Sequence, residues 1–222
     1  MTQDRRTYRV RYAQNPPVVV NWGAGERHEA AGSIGRLVRE RPGPERDTPR
    51  SERTFHLALD GQAPVARVTT EDAGSRASGR AAVYRVDDGG GAPLARITFR
   101  RRPHLRLART RWTVEPVDGP ALRGARGRLV WWALWWPLGL PLSLVWGITS
   151  LLGEGDGGFG APRRIIWRDP SGRAHLVFRG VADEYRTLGS AVDPRVVAAL
   201  VALHQSFDPS EGGGATGWYE RA

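Results

Sequence analysis

Two seven-residue strings constrain this chain more than any other feature. Ala63–Thr69 reads APVARVT and Ala92–Thr98 reads APLARIT, 29 residues apart and different only at Val65/Leu94 and Val68/Ile97. Each string follows a short alternating run and a turn sequence. Thr54–Leu59 leads into Asp60-Gly61, and Ala81–Val86 leads into Asp87-Asp88-Gly89-Gly90-Gly91. Strand, Asp-Gly turn, strand is the pattern of a β-hairpin. Looser copies run through Trp112–Val117, Asp118-Gly119 and Pro120–Ala125, and through Arg164–Arg168, Asp169-Pro170-Ser171-Gly172 and Arg173–Arg179. A hairpin cannot bury its apolar face alone, so repeated hairpins predict a meander that closes into an antiparallel barrel.

The repeat is interrupted once, by Leu129–Leu152, LVWWALWWPLGLPLSLVWGITSLL. These 24 residues carry no charge and hold five of the nine tryptophans. From Ala121 to Ala174 is 53 residues, and removing one 29-residue period leaves the length of this run. The run therefore reads as an insertion between hairpins of one sheet. Three forms are open to it: a buried core helix, a single membrane span or a re-entrant hairpin. About 20 apolar residues suffice to span a bilayer. A span, however, would put residues 54–125 and 163–208 on opposite sides of the membrane, which the repeat contradicts. The break at Pro137-Leu138-Gly139-Leu140-Pro141 lies where an apolar helical hairpin would turn. Trp131, Trp132, Trp135 and Trp136 gather at one end, as interfacial anchors do, with Trp146 further on. Arg123, Arg126 and Arg128 precede the run and Arg163 and Arg164 follow it, placed to meet anionic headgroups.

Before the repeat, TYRVRY at 7–12 alternates with Tyr8, Val10 and Tyr12 on one face, and Val18-Val19-Val20 resumes the strand signal. Residues 29–40 read as a short helix weakened by Gly32 and Gly35. Residues 41–53 have three prolines and no apolar group, the composition of a linker or long surface loop. After the repeat, Asp193 and Pro194 suit the N-cap and first position of a helix over 194–207. Its run Val196–Leu203, VVAALVAL, is apolar on every side, which predicts burial on every side. Residues 209–222 read as a flexible polar tail. These features divide the chain into an N-terminal strand segment and linker at 1–53, a barrel at 54–208 with its insertion at 129–152, and the tail.

The hairpins of the form strand, Asp-Gly, Pro-Leu-Ala-Arg-Ile, together with Asp183–Phe207, DEYRTLGSAVDPRVVAALVALHQSF, resemble the tubby C-terminal-like superfamily, which includes the LURP-one-related proteins and the phospholipid scramblases. The resemblance covers roughly residues 54–208. It implies a closed barrel threaded by the C-terminal helix, and a leaning toward membranes. The chain departs from the scramblase branch in having no cysteine and no counterpart of its acidic calcium-binding segment. No basic residue here can be matched one for one to the phosphoinositide-binding positions of tubby proteins, so the resemblance carries over no site.

No catalytic constellation emerges. The five histidines, His28, His56, His104, His175 and His204, form no HxxxH or HExxH pair, and the absence of cysteine removes thiolate chemistry and disulfides. Structural histidines are expected. The glycine-rich string 153–160 follows an apolar run rather than a strand, so it reads as a return loop, not a phosphate cradle. Arg100-Arg101-Arg102 reads as a solvated strand end. No metal or other cofactor is expected. The formal charge is +10 and all 33 basic residues are arginine, which favours an anionic partner. The N-terminus has no apolar signal segment.

The sequence thus predicts a mainly β protein: an antiparallel barrel of repeated hairpins around a hydrophobic C-terminal helix. Its expected role is non-catalytic lipid binding or scaffolding on an anionic phospholipid membrane, at the cytoplasmic face of the plasma membrane. The alternatives are an integral protein spanning at 129–152 and a soluble basic nucleic-acid-binding barrel. In the last case the aromatics would be stacking platforms, but such aromatics are normally interleaved with arginine rather than set in an apolar run.

Overall fold

The computed structural model describes residues 5–11, 16–23, 26, 32–40, 51–59, 62–75, 78–100, 110–126, 164–180, 182–189 and 191–207. The 129–152 insertion, the 153–160 loop, the Asp60-Gly61 turn, the 209–222 tail, His28 and His104 lie outside these residues.

The strands are β1 (Arg6–Arg11), β2 (Val18–Gly23), β3 (Gly32–Arg39), β4 (Phe55–Ala58), β5 (Pro64–Asp72) and β6 (Ala82–Asp87). They continue as β7 (Pro93–Arg100), β8 (Arg111–Pro116), β9 (Leu122–Arg126), β10 (Arg164–Arg168), β11 (Ala174–Arg179) and β12 (Glu184–Thr187), followed by helix α1 (Pro194–Gln205). Each strand pairs antiparallel with its neighbours in sequence, and β12 closes on β1, giving a closed barrel. All four hairpins read from the repeat are present. Strand β9 pairs directly with β10, so the segments on either side of the Trp-rich run do belong to one sheet.

Register explains the repeat. Ala66 and Val68 of one copy and Ala95 and Ile97 of the other point inward and are buried, while Arg67 and Arg96 point outward. The third copy puts Gly124 at the position of Ala66 and Ala95. There an added Cβ would come within 2.7 Å of the Trp167 indole nitrogen on β10, so glycine is needed for the ring to fit. The small inward residues leave room for α1, whose residues Val196–Gln205 are all buried. Asp193 caps the helix by accepting from the Arg195 amide at 2.8 Å. The helix runs from the Asp-Gly turn end of the barrel to the opposite end, here called the insertion end, where His204 and Phe207 meet rings from the wall. His204 packs against Trp112, Phe178 and Tyr185, and its Nδ1 lies 2.5 Å from Tyr185 Oη. Phe207 packs against Tyr84 and Phe99.

Four expectations are corrected. Within the segment at 29–40, Gly32–Arg39 is strand β3, not a helix. GSIGRLVR has period two, with Gly35 and Leu37 inward, and a Cβ on Gly35 would approach Ala58 N to 3.1 Å. Of the two glycines that weakened the helix, Gly35 is there because β4 comes close. The barrel also does not begin at 54: β1, β2 and β3 are strands of the same closed sheet. Nor is the end of 41–53 a bare linker. Arg53 is 1% exposed. Its Nε donates to Ser206 Oγ at 3.0 Å and its Nη2 to the Ser206 carbonyl at 3.2 Å. The guanidinium also lies 4.4 Å from the centre of the Phe207 ring. A cation there satisfies the carbonyl end of α1 and complements its dipole. The helix ends at Gln205, two residues earlier than the sequence suggested.

Candidate anionic-surface interface

The barrel presents two outer walls that handle arginine differently. On the side of β4 to β7, Arg67, Arg80, Arg85 and Arg96 are each matched to an acid. Arg67 makes two bonds to Glu40, at 3.1 and 2.6 Å, and Arg96 donates to Glu71 at 3.0 Å. These are the repeat's equivalent arginines, and each reaches across one intervening strand. Arg85 donates to Asp87 at 2.9 Å, and Arg80 lies 3.2 Å from Asp72. Glu40 also lies 3.1 Å from His56 Nδ1. The Arg67 guanidinium and then His56 hold its carboxyl below the usual carboxylate range, although partial burial opposes this.

On the wall of β7 to β11 the register sets arginine against arginine. Arg100 faces Arg111, Arg123 faces Arg168, and Arg164 faces Arg179. All six are exposed. Directly opposed residues have Cβ atoms about 4.5–5.5 Å apart, and like charges there are destabilising. Among the described residues, Arg100, Arg111, Arg123, Arg164 and Arg179 have no carboxylate partner. Arg168 donates only to the Gly172 carbonyl at 2.6 Å. The acids nearby are otherwise engaged or apart. Glu184, opposite Arg179 in register, bonds Arg186 at 3.1 Å, and Glu115 stands opposite Arg96. Between the arginines, the row Ala125, Ile166, Val177 is apolar across three strands, with Val177 buried and the other two half-buried.

The turn end is acidic by contrast. Asp88 accepts from the Gly90 and Ala92 amides, both at 2.8 Å. Asp169 lies 2.9 Å from His175 Nε2 and accepts from Ser171 Oγ at 2.6 Å. The His175 contact first, and Ser171 next, bring its carboxyl down to about 2. His56, His175 and His204 are therefore engaged by Glu40, Asp169 and Tyr185, as structural histidines are.

Of the sequence-predicted site residues, Arg123 and Arg164 lie on adjacent strands of the arginine-rich wall, whereas Arg126 ends β9 in register with the buried Ile165, at the opposite pleat position from Arg123. Arg128, Trp131, Trp132, Trp135, Trp136, Trp146 and Arg163 lie outside the described residues. Sequence reasoning missed Arg111, Arg168 and Arg179, and read Arg100 only as a strand end. The signal for them was present but needed pairing: each ends or begins a strand. Among the described residues no helix is long and apolar enough to cross a membrane. No family model, curated protein or solved structure matches the chain.

Proposed function

We propose that this protein is a non-catalytic, membrane-associated barrel of the tubby-like kind. It binds anionic phospholipid at a cytoplasmic membrane face and uses the Trp-rich run 129–152 as its anchor. One observation carries the reading: the strands that bracket that run, β9 and β10, bear opposed arginines with no described acid to neutralise them. Such an arrangement costs stability in the free protein and is relieved by a surface of phosphates. A basic side chain near an anionic leaflet contributes about 1 kcal/mol. Tryptophans beside it would sit at the headgroup level, where an amphipathic ring is favoured.

The test replaces residues 129–152 by a short Gly/Ser linker and measures sedimentation with phosphatidylserine-containing vesicles alongside the melting curve. The expected outcome is a large loss of binding with a cooperative melt retained. Unchanged binding would remove the run as the anchor. Loss of the cooperative melt would make the run part of the core, and tight binding to duplex DNA with none to vesicles would favour the nucleic-acid alternative.

A further inference from the structure

We infer that the barrel lies on its side, with the wall of β7 to β11 against phosphate-bearing headgroups and the wall of β3 to β6 facing away from the bilayer. This rests on the membrane reading above and adds the face that docks.

Three register rows define the face. Arg164 and Arg179 form the row nearest the insertion end. Arg100 and Arg111 share the next row with Ala125, Ile166 and Val177. Arg123 and Arg168 form the third, beside Thr98 and Thr113. Neighbouring strands are about 4.8 Å apart, so the arginines from β7 to β11 span roughly 19 Å. Along β10, Arg164 to Arg168 is four residues, about 13 Å at 3.3 Å per residue. Strands in barrels tilt by about 35–45°, which leaves roughly 10 Å along the axis.

That height decides the orientation. Were the barrel to stand on its insertion end, the third row would sit about 10 Å above the first. The screening length at physiological ionic strength is about 8 Å, so Arg123 and Arg168 would gain little from the surface. Laid on its side, the barrel brings the three rows to a similar height along β9 and β10, at the middle of the wall. The opposite wall offers less attraction, because Arg67 and Arg85 are already matched to Glu40 and Asp87. A partner bearing phosphates in two dimensions fits the array. Both ends of the Trp-rich segment join the middle of this wall, at β9 and β10, which favours a bilayer over a polyanionic chain.

The chain has no cysteine, so a single introduced one takes a single label. Thr113→Cys and Ile166→Cys place an environment-sensitive nitrobenzoxadiazole fluorophore on the arginine-rich wall. Thr69→Cys and Val83→Cys place it on the other. Each full-length variant is mixed with phosphatidylcholine vesicles with and without phosphatidylserine, and sedimentation is measured in the same samples. The expected result is a blue-shifted, brighter signal at 113 and 166 with phosphatidylserine, and no change at 69 and 83. Arg111→Gln and Arg123→Gln should each weaken binding about fivefold, whereas Arg67→Gln should not. If the protein sediments and no label responds, or both walls respond alike, the side-on face is wrong while membrane binding stands. If nothing sediments, the membrane reading fails and this inference falls with it. If the 113 and 166 labels respond to duplex DNA and not to vesicles, the wall belongs to a nucleic acid.

Discussion

The two walls of this barrel are made by the same kind of hairpin and end in different electrostatics. On β5 and β7 the repeat's outward arginine meets an acid across one strand, Arg67 with Glu40 and Arg96 with Glu71. In the third copy that position is Ala125, and the arginine beside it, Arg123, faces Arg168 instead. Exposed ion pairs contribute at most about 1 kcal/mol, and opposed like charges cost a similar amount. The first wall is thus mildly self-stabilising and the second mildly self-repelling. The comparison teaches that one repeat can keep its inward pattern while its outward pattern is released for binding.

The largest effect removes what both walls share. Leu200 lies in the middle of α1 and is buried among inward residues of the barrel. Leu200→Arg would place an unpaired charge there at a cost of several kcal/mol against a total stability of about 5–15. Loss of the cooperative melt is the expected outcome. A melt shifted by only a degree or two would mean the helix does not hold the walls together.

Next in size is a change on the inner face of the arginine-rich wall alone. Gly124→Ala pushes a methyl into Trp167, whose Nε1 would lie 2.7 Å away and whose indole N–H is buried without an acceptor. Overpacking of this kind costs about 1–3 kcal/mol. The equivalent change in the other wall, Ala95→Gly, should cost less, about 0.5–1 kcal/mol for a glycine in a strand interior. Chemical denaturation of the two variants checks the order. Equal costs would show that the third copy is no tighter inside than the second.

These two sites mark what was legible in the chain. The hairpins and their closure follow from the recurrence of Ala, Arg and a β-branched residue around Asp-Gly turns, and the buried helix from its all-apolar run Val196–Leu203, both local signals. Strand β3 was hidden because Gly32 and Gly35 obscure its alternation, and what requires a glycine at 35 is a contact with β4. Arg53 was hidden because its partner, Ser206, is 153 residues away. The arginine-rich wall was half visible. Arg123 and Arg164 flank the Trp-rich run in sequence, but Arg100, Arg111, Arg168 and Arg179 join them only through strand register.

A smaller effect tests the acid-matched wall. Glu40→Gln removes the partner of Arg67 and of His56, and should lower stability by under about 1 kcal/mol. Because folding lowers the Glu40 pKa, its contribution is fully present above the unfolded carboxylate range, near 4.3, and is lost as pH falls through the lower folded value. Melting curves of wild type and Glu40→Gln should therefore differ near neutral pH and converge in acid. A gap that widens as pH falls would contradict the pairing.

The smallest effect has the opposite sign, and it separates the walls most clearly. Arg164→Gln removes one of two opposed arginines from the self-repelling wall, relieving Arg179 without breaking any bond to a described carboxylate. Stability should rise by a few tenths of a kcal/mol at low salt. The gain should shrink as salt is added, since the repulsion it relieves is itself screened beyond about 10 Å at 0.1 M. The same variant should bind phosphatidylserine-containing vesicles more weakly, by up to the factor of about five that one interfacial arginine supplies. A more stable but weaker binder is the signature of a residue kept for its partner and not for the fold. Were Arg164→Gln to destabilise the barrel as Glu40→Gln does, the two walls would be electrostatically alike and the arginines of β7 to β11 would be structural.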